Sequence, residues 1–271
     1  MEIALAQLEL RPADVAANRE RALGAIQEAV SCGADLVVLP ELFTVGYFAF
    51  DSYARHAEGI GGETLTAIRE VADTAGIAVL AGSIVEDLAA SAENGFETPA
   101  KEGYANTAVF IDDAGEVRTV YRKQHLFGYG SVEDELLTPG ESLPTTEFGG
   151  FTIGTTTCYD LRFPELYRAL VDSGVTLMLV PSAWPYPRVE HWQVLPKARA
   201  VENLSYVVAV NGVGEFEDAA LCGRSAVYDP WGTPQATLGE ESGVALTRIT
   251  PEAVERRRED FPVLQDRRGG Y

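Results

Sequence analysis

Short apolar runs alternate with segments of helical periodicity along the whole chain. Residues 2–10 and 34–41 are rich in apolar side chains, whereas segment 18–31 between them places Ile26 and Val30 four residues apart. Short apolar runs of this kind predict buried strands, and a spacing of three or four residues predicts an amphipathic helix. The same alternation returns in the carboxyl-terminal half. The pattern therefore predicts an α/β fold.

The remaining elements follow from the same two periodicities. Asp113, Ala114 and Gly115 form a turn signal that predicts a hairpin between two of the strands, and the polar stretch 86–103 predicts an exposed excursion. Although 271 residues allow two domains, α/β folds of this size often form one. We predict a single domain over 1–271, with 250–271 as a C-terminal helix and tail. The further predicted strands are 77–85, 104–111, 116–122, 151–157, 175–181, 206–211, 222–228 and 243–249, and the further predicted helices are 63–74, 190–204 and those beginning at Pro164 and Pro251.

Charge and composition exclude several classes of function. The formal net charge of -20 argues against nucleic acid and anionic membrane surfaces as partners, because phosphate contacts need clustered Lys and Arg. No apolar run approaches membrane-spanning length and no basic leader opens the chain, so we expect a cytoplasmic protein without membrane association. Three cysteines without paired spacing and three histidines predict neither a disulfide framework nor a metal site.

Lysine is scarce among the basic residues. Only Lys101, Lys123 and Lys197 occur, against 21 basic residues in total. An acidic chain that uses Arg in place of Lys is what we expect of a protein working in high salt, where screening suppresses self-repulsion. A halophilic source is the resulting hypothesis.

One cysteine lies where a predicted strand meets a predicted helix. Cys158 follows the strand 151–157, and Pro164 with Glu165 suits the first turn of a helix. We expect a partly exposed thiol there whose thiolate is favoured by nearby helix amides, with the backbone N–H of Tyr159 directed at an oxyanion beside the sulfur. The alternative is a buried core cysteine.

Two further charged residues stand at the ends of predicted strands. Glu41 ends the buried run 34–41, and Lys123 ends the strand 116–122 before a glycine-rich loop. The alternatives are a solvated loop carboxylate and an exposed basic residue. If these strand ends lie on one side of the fold with Cys158, a nucleophile, a base and a cation converge on one site.

Aromatic residues flank these positions along the chain. The loop after Glu41 contains Tyr47 and Phe48, which line a pocket or merely hold the loop together. Trp184 and Tyr186 alternate with prolines after the strand 175–181 and form a stiff rim. We take these four aromatic residues as candidates for substrate binding.

Three segments of the chain together resemble a known family. Leu39-Pro40-Glu41-Leu42, Tyr121-Arg122-Lys123-Gln124-His125-Leu126-Phe127 and the eleven residues from Cys158 to Arg168 are similar, in order and separation, to the signature segments of the nitrilase superfamily of carbon–nitrogen hydrolases. Residues 199–203 and 223–232 extend the resemblance over nearly the whole chain. The resemblance implies an α/β fold of the four-layer α-β-β-α sandwich type, commonly paired into a dimer, and catalysis with no metal or organic cofactor. We expect a homodimer or a higher homo-oligomer.

The resemblance also implies roles for individual residues. Glu41 corresponds to the general base, Lys123 to the lysine that stabilises the oxyanion, and Cys158 to the nucleophile. Glu133 corresponds to a second glutamate that many members place near the site. For a subunit contact, the resemblance implies the helices after Cys158 and from Glu190, supported by the apolar residues Leu166, Leu170 and Val171.

The substrate expectation is a small amide together with water. The rim residues resemble the ω-amidase branch, whose substrates are dicarboxylate monoamides such as 2-oxoglutaramate. Arg188 is our preferred clamp for the remote carboxylate. Arg162 lies so close to the nucleophile that a structural ion pair, for example with Glu165, is an equal expectation for it. Two alternatives, N-carbamoyl amine hydrolysis and nitrile hydrolysis, use the same triad of Glu41, Lys123 and Cys158. The others are a Cys–His hydrolase using His125 or His191 and a non-catalytic binding relative.

Overall fold

The computed structural model describes residues 1–129, 131–217 and 219–268. Residues 269–271 of the predicted tail lie outside this part of the chain. The strands are β1 (Glu2–Gln7), β2 (Leu36–Val38), β3 (Ala78–Asp87), β4 (Tyr104–Ile111), β5 (Val117–Arg122), β6 (Thr145–Phe148), β7 (Phe151–Thr155), β8 (Leu177–Ser182), β9 (Tyr206–Asn211), β10 (Val213–Phe216), β11 (Ala219–Cys222), β12 (Ala226–Tyr228), β13 (Pro234–Thr237) and β14 (Gly243–Arg248). The helices are α1 (Val15–Ser31), α2 (Tyr53–His56), α3 (Glu63–Ala75), α4 (Leu88–Glu93), α5 (Glu133–Leu136), α6 (Pro164–Asp172), α7 (Val189–Asn203) and α8 (Pro251–Asp260).

Two mixed six-stranded sheets form the centre of the molecule. The first has the order β14-β1-β2-β3-β4-β5, and the second has the order β13-β12-β9-β8-β7-β6. The middle strands of each sheet are parallel, and antiparallel strands complete both edges. Strands β10 and β11 form a separate hairpin. The predicted hairpin between β4 and β5 is confirmed.

The alternation of side chains along β1 shows why the layers stack. Ile3 and Leu5 point into the core between the two sheets, whereas Ala4 and Ala6 belong to the core between the first sheet and its helices. Successive strand residues face opposite sides of a sheet, so a strand that is apolar at every position is covered on both faces. The predicted α-β-β-α sandwich is confirmed.

The outer helical layer on the second sheet comprises α6 and α7. Tyr167 and Trp192 are its largest buried residues, and both pack in a third core cluster beneath these helices. Leu166 and Leu170 are buried in the same cluster, at 7% and 0% exposure. The expectation that these two leucines support a subunit contact was therefore wrong, because the sheet of their own chain already covers them.

Several predicted boundaries differ from the structure. The predicted strand 222–228 is two strands, since Gly223 and Arg224 adopt left-handed φ values of 59° and 58° that interrupt the extended backbone. Part of the predicted excursion 86–103 is regular, because β3 continues to Asp87 and α4 follows it. The edge strands β6 and β13 were not predicted, since their four-residue segments are partly exposed and polar.

Gly82 shapes the segment that carries Glu41. The pairing of β3 with β4 shifts register between Ala81 and Ile84, and Gly82 has a φ of 26° within that irregularity. A Cβ at this glycine would overlap the carbonyl oxygen of Pro40. The neighbouring Ser83 accepts a hydrogen bond from the N–H of Leu42 through its Oγ at 2.8 Å. The bulge therefore holds the backbone on both sides of Glu41.

None of the helices formed by the described residues has the length and apolarity needed to cross a membrane.

Candidate active site

Three loops that follow strands bring the predicted triad together. Glu41 lies three residues beyond β2, Lys123 directly follows β5, and Cys158 lies three residues beyond β7. Their exposed fractions are 0%, 1% and 8%. The first two strands belong to one sheet and β7 belongs to the other, so the site forms where the two sheets meet.

Lys123 lies between two carboxylates. Its Nζ donates to Oε1 of Glu41 at 2.9 Å and to Oε1 and Oε2 of Glu133 at 2.8 and 3.0 Å. Both carboxylate side chains are fully buried. The Nζ also lies 5.2 Å from the centre of the Tyr47 ring. The ammonium of Lys123 is thus held by charge-assisted hydrogen bonds and by a cation–π contact.

Further donors fix the two carboxylates. Tyr47 Oη and the N–H of Phe127 donate to Oε2 of Glu133 at 2.9 and 2.7 Å. The N–H of Ala183 donates to Oε2 of Glu41 at 2.8 Å. Asn106 Nδ2 donates to Oε1 of Glu41 at 2.8 Å and to Oε1 of Glu133 at 3.1 Å. Asn106 was not predicted from the sequence, since its only signal is an amide inside a mostly apolar strand.

The excess of carboxylates sets the electrostatics of this cluster. Burial alone would lower the pKa of Lys123, but the adjacent carboxylates of Glu133 and Glu41 outweigh burial and hold it well above its usual value. Burial raises the pKa of Glu41, and the carboxylate of Glu133 adds to this shift while Lys123 opposes it. A carboxylate with a raised pKa binds a proton more readily than usual, which suits a general base.

Cys158 begins a 3-10 helix, Cys158–Arg162, that precedes α6. Its φ of 47° is left-handed, an unfavourable conformation for a residue with a side chain. Burial, followed by the nearby carboxylate of Glu41, raises the pKa of the thiol well above its usual value. The expectation of a partly exposed thiol with a favoured thiolate was therefore wrong, because the sheets enclose the sulfur and a carboxylate faces it.

A pocket opens above the sulfur. Arg162 and Arg188 are the cationic residues at its mouth, and both are partly buried. Arg162 lies 5.1 Å from the Trp184 ring, and Arg188 lies 5.6 Å from the Phe127 ring. The pocket is lined by Tyr47, Phe48, Lys123, Phe127, Cys158, Tyr159, Arg162, Ala183, Trp184, Pro185 and Arg188.

One predicted contact and one candidate residue lie elsewhere. Arg162 contacts Nδ1 of His191 at 3.0 Å, whereas Glu165 is exposed on α6, so the expected ion pair between Arg162 and Glu165 was wrong. Tyr186 is 41% exposed and lines an outer recess that adjoins the pocket. The recess shares Phe48, Phe127, Pro185 and Arg188 with the pocket.

The two histidines proposed as alternative bases have other partners. His125 Nδ1 contacts Oδ1 of Asp160 at 2.8 Å, and its ring stacks on Phe163 at 3.7 Å. His191 is exposed and contacts Arg162. Neither histidine lines the pocket above Cys158. Over the ranges 1–129, 131–217 and 219–268, no group of three or more His, Cys, Asp or Glu side chains is arranged to hold a metal ion.

The fold and this pocket define a class of enzyme: an α/β sandwich with a thiol, a carboxylate and an ammonium buried at the base of one cleft. Comparison with known proteins agrees. Residues 2–259 match the family model described as carbon-nitrogen hydrolase. The chain therefore belongs to the carbon–nitrogen hydrolase family of the nitrilase superfamily, and it is an amidohydrolase.

Individual relatives cover nearly the whole chain. A 2-oxoglutaramate amidase from Paenarthrobacter nicotinovorans is 35% identical over 99% of this chain and 90% of its own length. A deaminated glutathione amidase from Synechocystis sp. is 33% identical over 96% of both chains. The crystal structure of XC1258 from Xanthomonas campestris, a CN-hydrolase superfamily protein, superposes with a TM-score of 0.87 at 33% identity, covering 100% of this chain and 98% of that one.

Proposed function

We propose that this protein is an ω-amidase that hydrolyses a small dicarboxylate monoamide, such as 2-oxoglutaramate, through a thioester on Cys158. The observation that carries the proposal is the pocket itself: its base holds the thiol and its mouth holds two guanidinium groups, in a protein of net charge -20. A substrate with an amide at one end and a carboxylate at the other matches both ends of this pocket. The 35% identical 2-oxoglutaramate amidase supports the same substrate class.

Glu41, Lys123 and Cys158 are the catalytic residues in this proposal. As the sulfur attacks the amide carbon, Glu41 takes the thiol proton, so no free thiolate is needed beforehand. Lys123 and the N–H of Tyr159, in the first turn of the 3-10 helix, stabilise the negative oxygen of the tetrahedral intermediate. Glu133 holds Lys123 in place.

The same carboxyl then completes the reaction. Glu41 returns its proton to the departing amide nitrogen, which leaves as ammonia while the acyl group stays on Cys158 as a thioester. Water attacks the thioester carbon and gives a proton to Glu41, and the sulfur leaves with that proton as the free thiol. The products are a dicarboxylate and ammonia. The proposal involves no cofactor.

Tyr47, Phe48, Trp184 and Arg188 are the proposed substrate-binding residues at the pocket, with Arg162 as a second cation. We expect Arg188→Met to raise KM for 2-oxoglutaramate and to leave turnover of an uncharged short amide unchanged. Arg162→Met tests the other cation in the same way. If both variants retain the parent KM for 2-oxoglutaramate, the carboxylate is bound by another group.

A substrate panel tests the proposal as a whole. Ammonia release is compared for 2-oxoglutaramate, succinamate, deaminated glutathione, N-carbamoyl amines and simple nitriles, and intact mass follows the acyl adduct. We expect 2-oxoglutaramate to be preferred, with an adduct on Cys158 that Cys158→Ala abolishes. Preference for nitriles or N-carbamoyl amines would refute the ω-amidase assignment, and an adduct on Cys32 or Cys222 would refute the nucleophile.

A longer monoamide is the second candidate substrate. The outer recess lined by Phe50, Tyr186 and Phe216 adjoins the pocket, and Arg188 lines both. It offers room beyond the carboxylate clamp, and one relative is a deaminated glutathione amidase. We expect Tyr186→Ala to affect KM for deaminated glutathione more than KM for 2-oxoglutaramate.

We also propose a cytoplasmic, halophilic homodimer formed by one domain. Val194 and Val201, seven residues apart on α7, are 59% and 43% exposed, and they support a subunit contact on that helix. Light scattering upon dilution tests the dimer. The proposed adaptation to high salt is tested by measuring the unfolding midpoint and the activity from low to molar salt. Equal or better values at low salt would contradict it.

A further inference from the structure

Asn106 is a buried amide on β4 that the mechanism above leaves without a role. Asn106 is fully buried, and its Nδ2 donates hydrogen bonds to Oε1 of Glu41 and to Oε1 of Glu133. Among the described residues, no donor contacts its Oδ1, although that atom is buried. An unpaired buried acceptor usually costs stability. Its presence here indicates that the amide is kept for the bonds that its nitrogen donates.

Asn106 and Lys123 hold the same two oxygens. Lys123 Nζ donates to Oε1 of Glu41 and Oε1 of Glu133, and Asn106 Nδ2 donates to the same pair. The four atoms form a closed ring of alternating donors and acceptors. Two carboxylates of like charge are thereby held side by side by one cation and one neutral amide.

This ring leaves the two oxygens of Glu41 unequal. Oε1 accepts from Lys123 and from Asn106, which occupy both of its lone pairs. Oε2 accepts the backbone N–H of Ala183 and retains acceptor capacity. Burial, and after it the charge of this nearby carboxylate, raises the pKa of the Cys158 thiol. Of the two oxygens of Glu41, Oε2 is the one with a lone pair available to the thiol.

We propose that Asn106 is a positioning residue for the general base: by occupying Oε1 of Glu41, it directs the thiol proton of Cys158 to Oε2 and stabilises the charged carboxylate until that proton moves. The inference rests on the proposed catalytic roles of Glu41 and Cys158. The step itself is a proton transfer from Sγ to Oε2, and the Asn106 amide keeps both of its protons throughout.

The sign of the pH effect follows from the hydrogen bond. A donor to a carboxylate favours its charged form and lowers its pKa, so removing the donor raises the pKa. The titratable groups that face Glu41 are Lys123, Glu133 and Cys158, with Tyr47 behind Lys123, and all remain in the variant. Because Glu41 acts in its charged form, the acidic limb of the rate profile moves to higher pH.

Asn106→Leu tests the proposal by the rate of Cys158 alkylation with iodoacetamide between pH 4 and 9, alongside kcat/KM. We expect the acidic limb of both profiles to move up by roughly one pH unit, the size of losing one hydrogen bond to a charged group. The rate on the plateau falls as well. If the acidic limbs of the alkylation and turnover profiles stay at the pH seen in the parent enzyme, Asn106 does not act on Glu41 and the proposal is wrong.

Asn203→Leu is the matched control. Asn203 is also fully buried, its Oδ1 also lacks a donor among the described residues, and its Nδ2 donates to the carbonyl of Arg199 on α7. We expect the same substitution there to leave the limb in place. A shift of equal size in both variants would contradict a specific role for Asn106.

Asn106→Asp keeps the size of the side chain and serves if the leucine variant does not fold. A third carboxyl beside Glu41 moves the limb in the same direction, and an unmoved limb would again overturn the proposal. Alkylation does not depend on the substrate. A parent enzyme that forms no acyl adduct would therefore refute the proposed function, whereas a parent that forms it together with an unmoved variant limb would refute the role of Asn106 alone.

Discussion

Arg122 and Lys123 are consecutive residues, yet they lie in buried ion clusters of different kinds. Arg122 makes two bonds with one carboxylate, from Nε to Oε2 and from Nη2 to Oε1 of Glu86, at 2.6 and 2.7 Å. Lys123 instead faces two carboxylates. The first cluster balances its charge, whereas the second contains one more carboxylate than its lysine neutralises.

Strand β4 supplies a polar residue to each cluster. Thr107 donates its hydroxyl to Oε2 of Glu86 at 2.6 Å, and the preceding Asn106 donates to Glu41 and Glu133. Successive strand residues face opposite sides, so two neighbouring strands place a matched pair on one face and an unmatched group on the other. Burial of charge alone therefore does not indicate a reactive site. We infer a reactive site where an excess of one sign of charge lies beside a pocket and a thiol.

The balanced cluster is expected to matter most for stability. Arg122→Met leaves the Glu86 carboxylate buried without its cation, and we expect the free energy of unfolding to fall by about 3–5 kcal/mol. Chemical denaturation measures the loss, and kcat/KM per folded molecule should stay near that of the parent. Arg118→Met is the control, because this arginine is on the same strand with its side chain 54% exposed and should change stability by less than about 1 kcal/mol. A small loss of unfolding free energy in Arg122→Met would contradict the structural role of the balanced cluster.

The unbalanced cluster is expected to matter most for the reaction. Lys123→Met removes the proposed oxyanion donor and leaves Glu41 and Glu133 facing each other, and we expect kcat to fall roughly 100- to 1000-fold. Ammonia release measures it, with circular dichroism to confirm folding. A kcat within tenfold of the parent would mean that Lys123 is only a structural partner of the two carboxylates.

The smallest effect concerns the backbone behind Glu41. Gly82→Ala places a Cβ against the Pro40 carbonyl oxygen at a left-handed φ, and we expect a loss of about 1–3 kcal/mol in stability together with a lower kcat. Thermal unfolding and ammonia release measure both. Gly24→Ala is the control, since this exposed glycine in α1 has open space around its Cα and alanine should raise stability by roughly 0.5–1 kcal/mol. An unchanged kcat in Gly82→Ala would show that the bulge does not affect the reaction at the site.

Much of the fold followed from local patterns. The central strands and the start of α6 at Pro164 were predictable because burial on both faces leaves continuous apolar runs and because proline suits a first helical turn. The short edge strands β6 and β13 were not, since partly exposed edges carry little apolar signal. The burial of Leu166 and Leu170 was also missed, because an amphipathic helix alone does not reveal which surface covers its apolar face.

The sequence by itself determined where the proposed chemistry lies. Glu41, Lys123 and Cys158 stand at the ends of recognisable strands within family-like segments, and both features are local properties of the chain. Only the tertiary structure decided their protonation and their partners. The raised pKa values of Glu41 and Cys158, the ring of donors that includes Asn106, and the turn of Arg162 toward His191 all depend on burial and on distances between residues far apart in the chain, and those quantities exist only after the two sheets have packed.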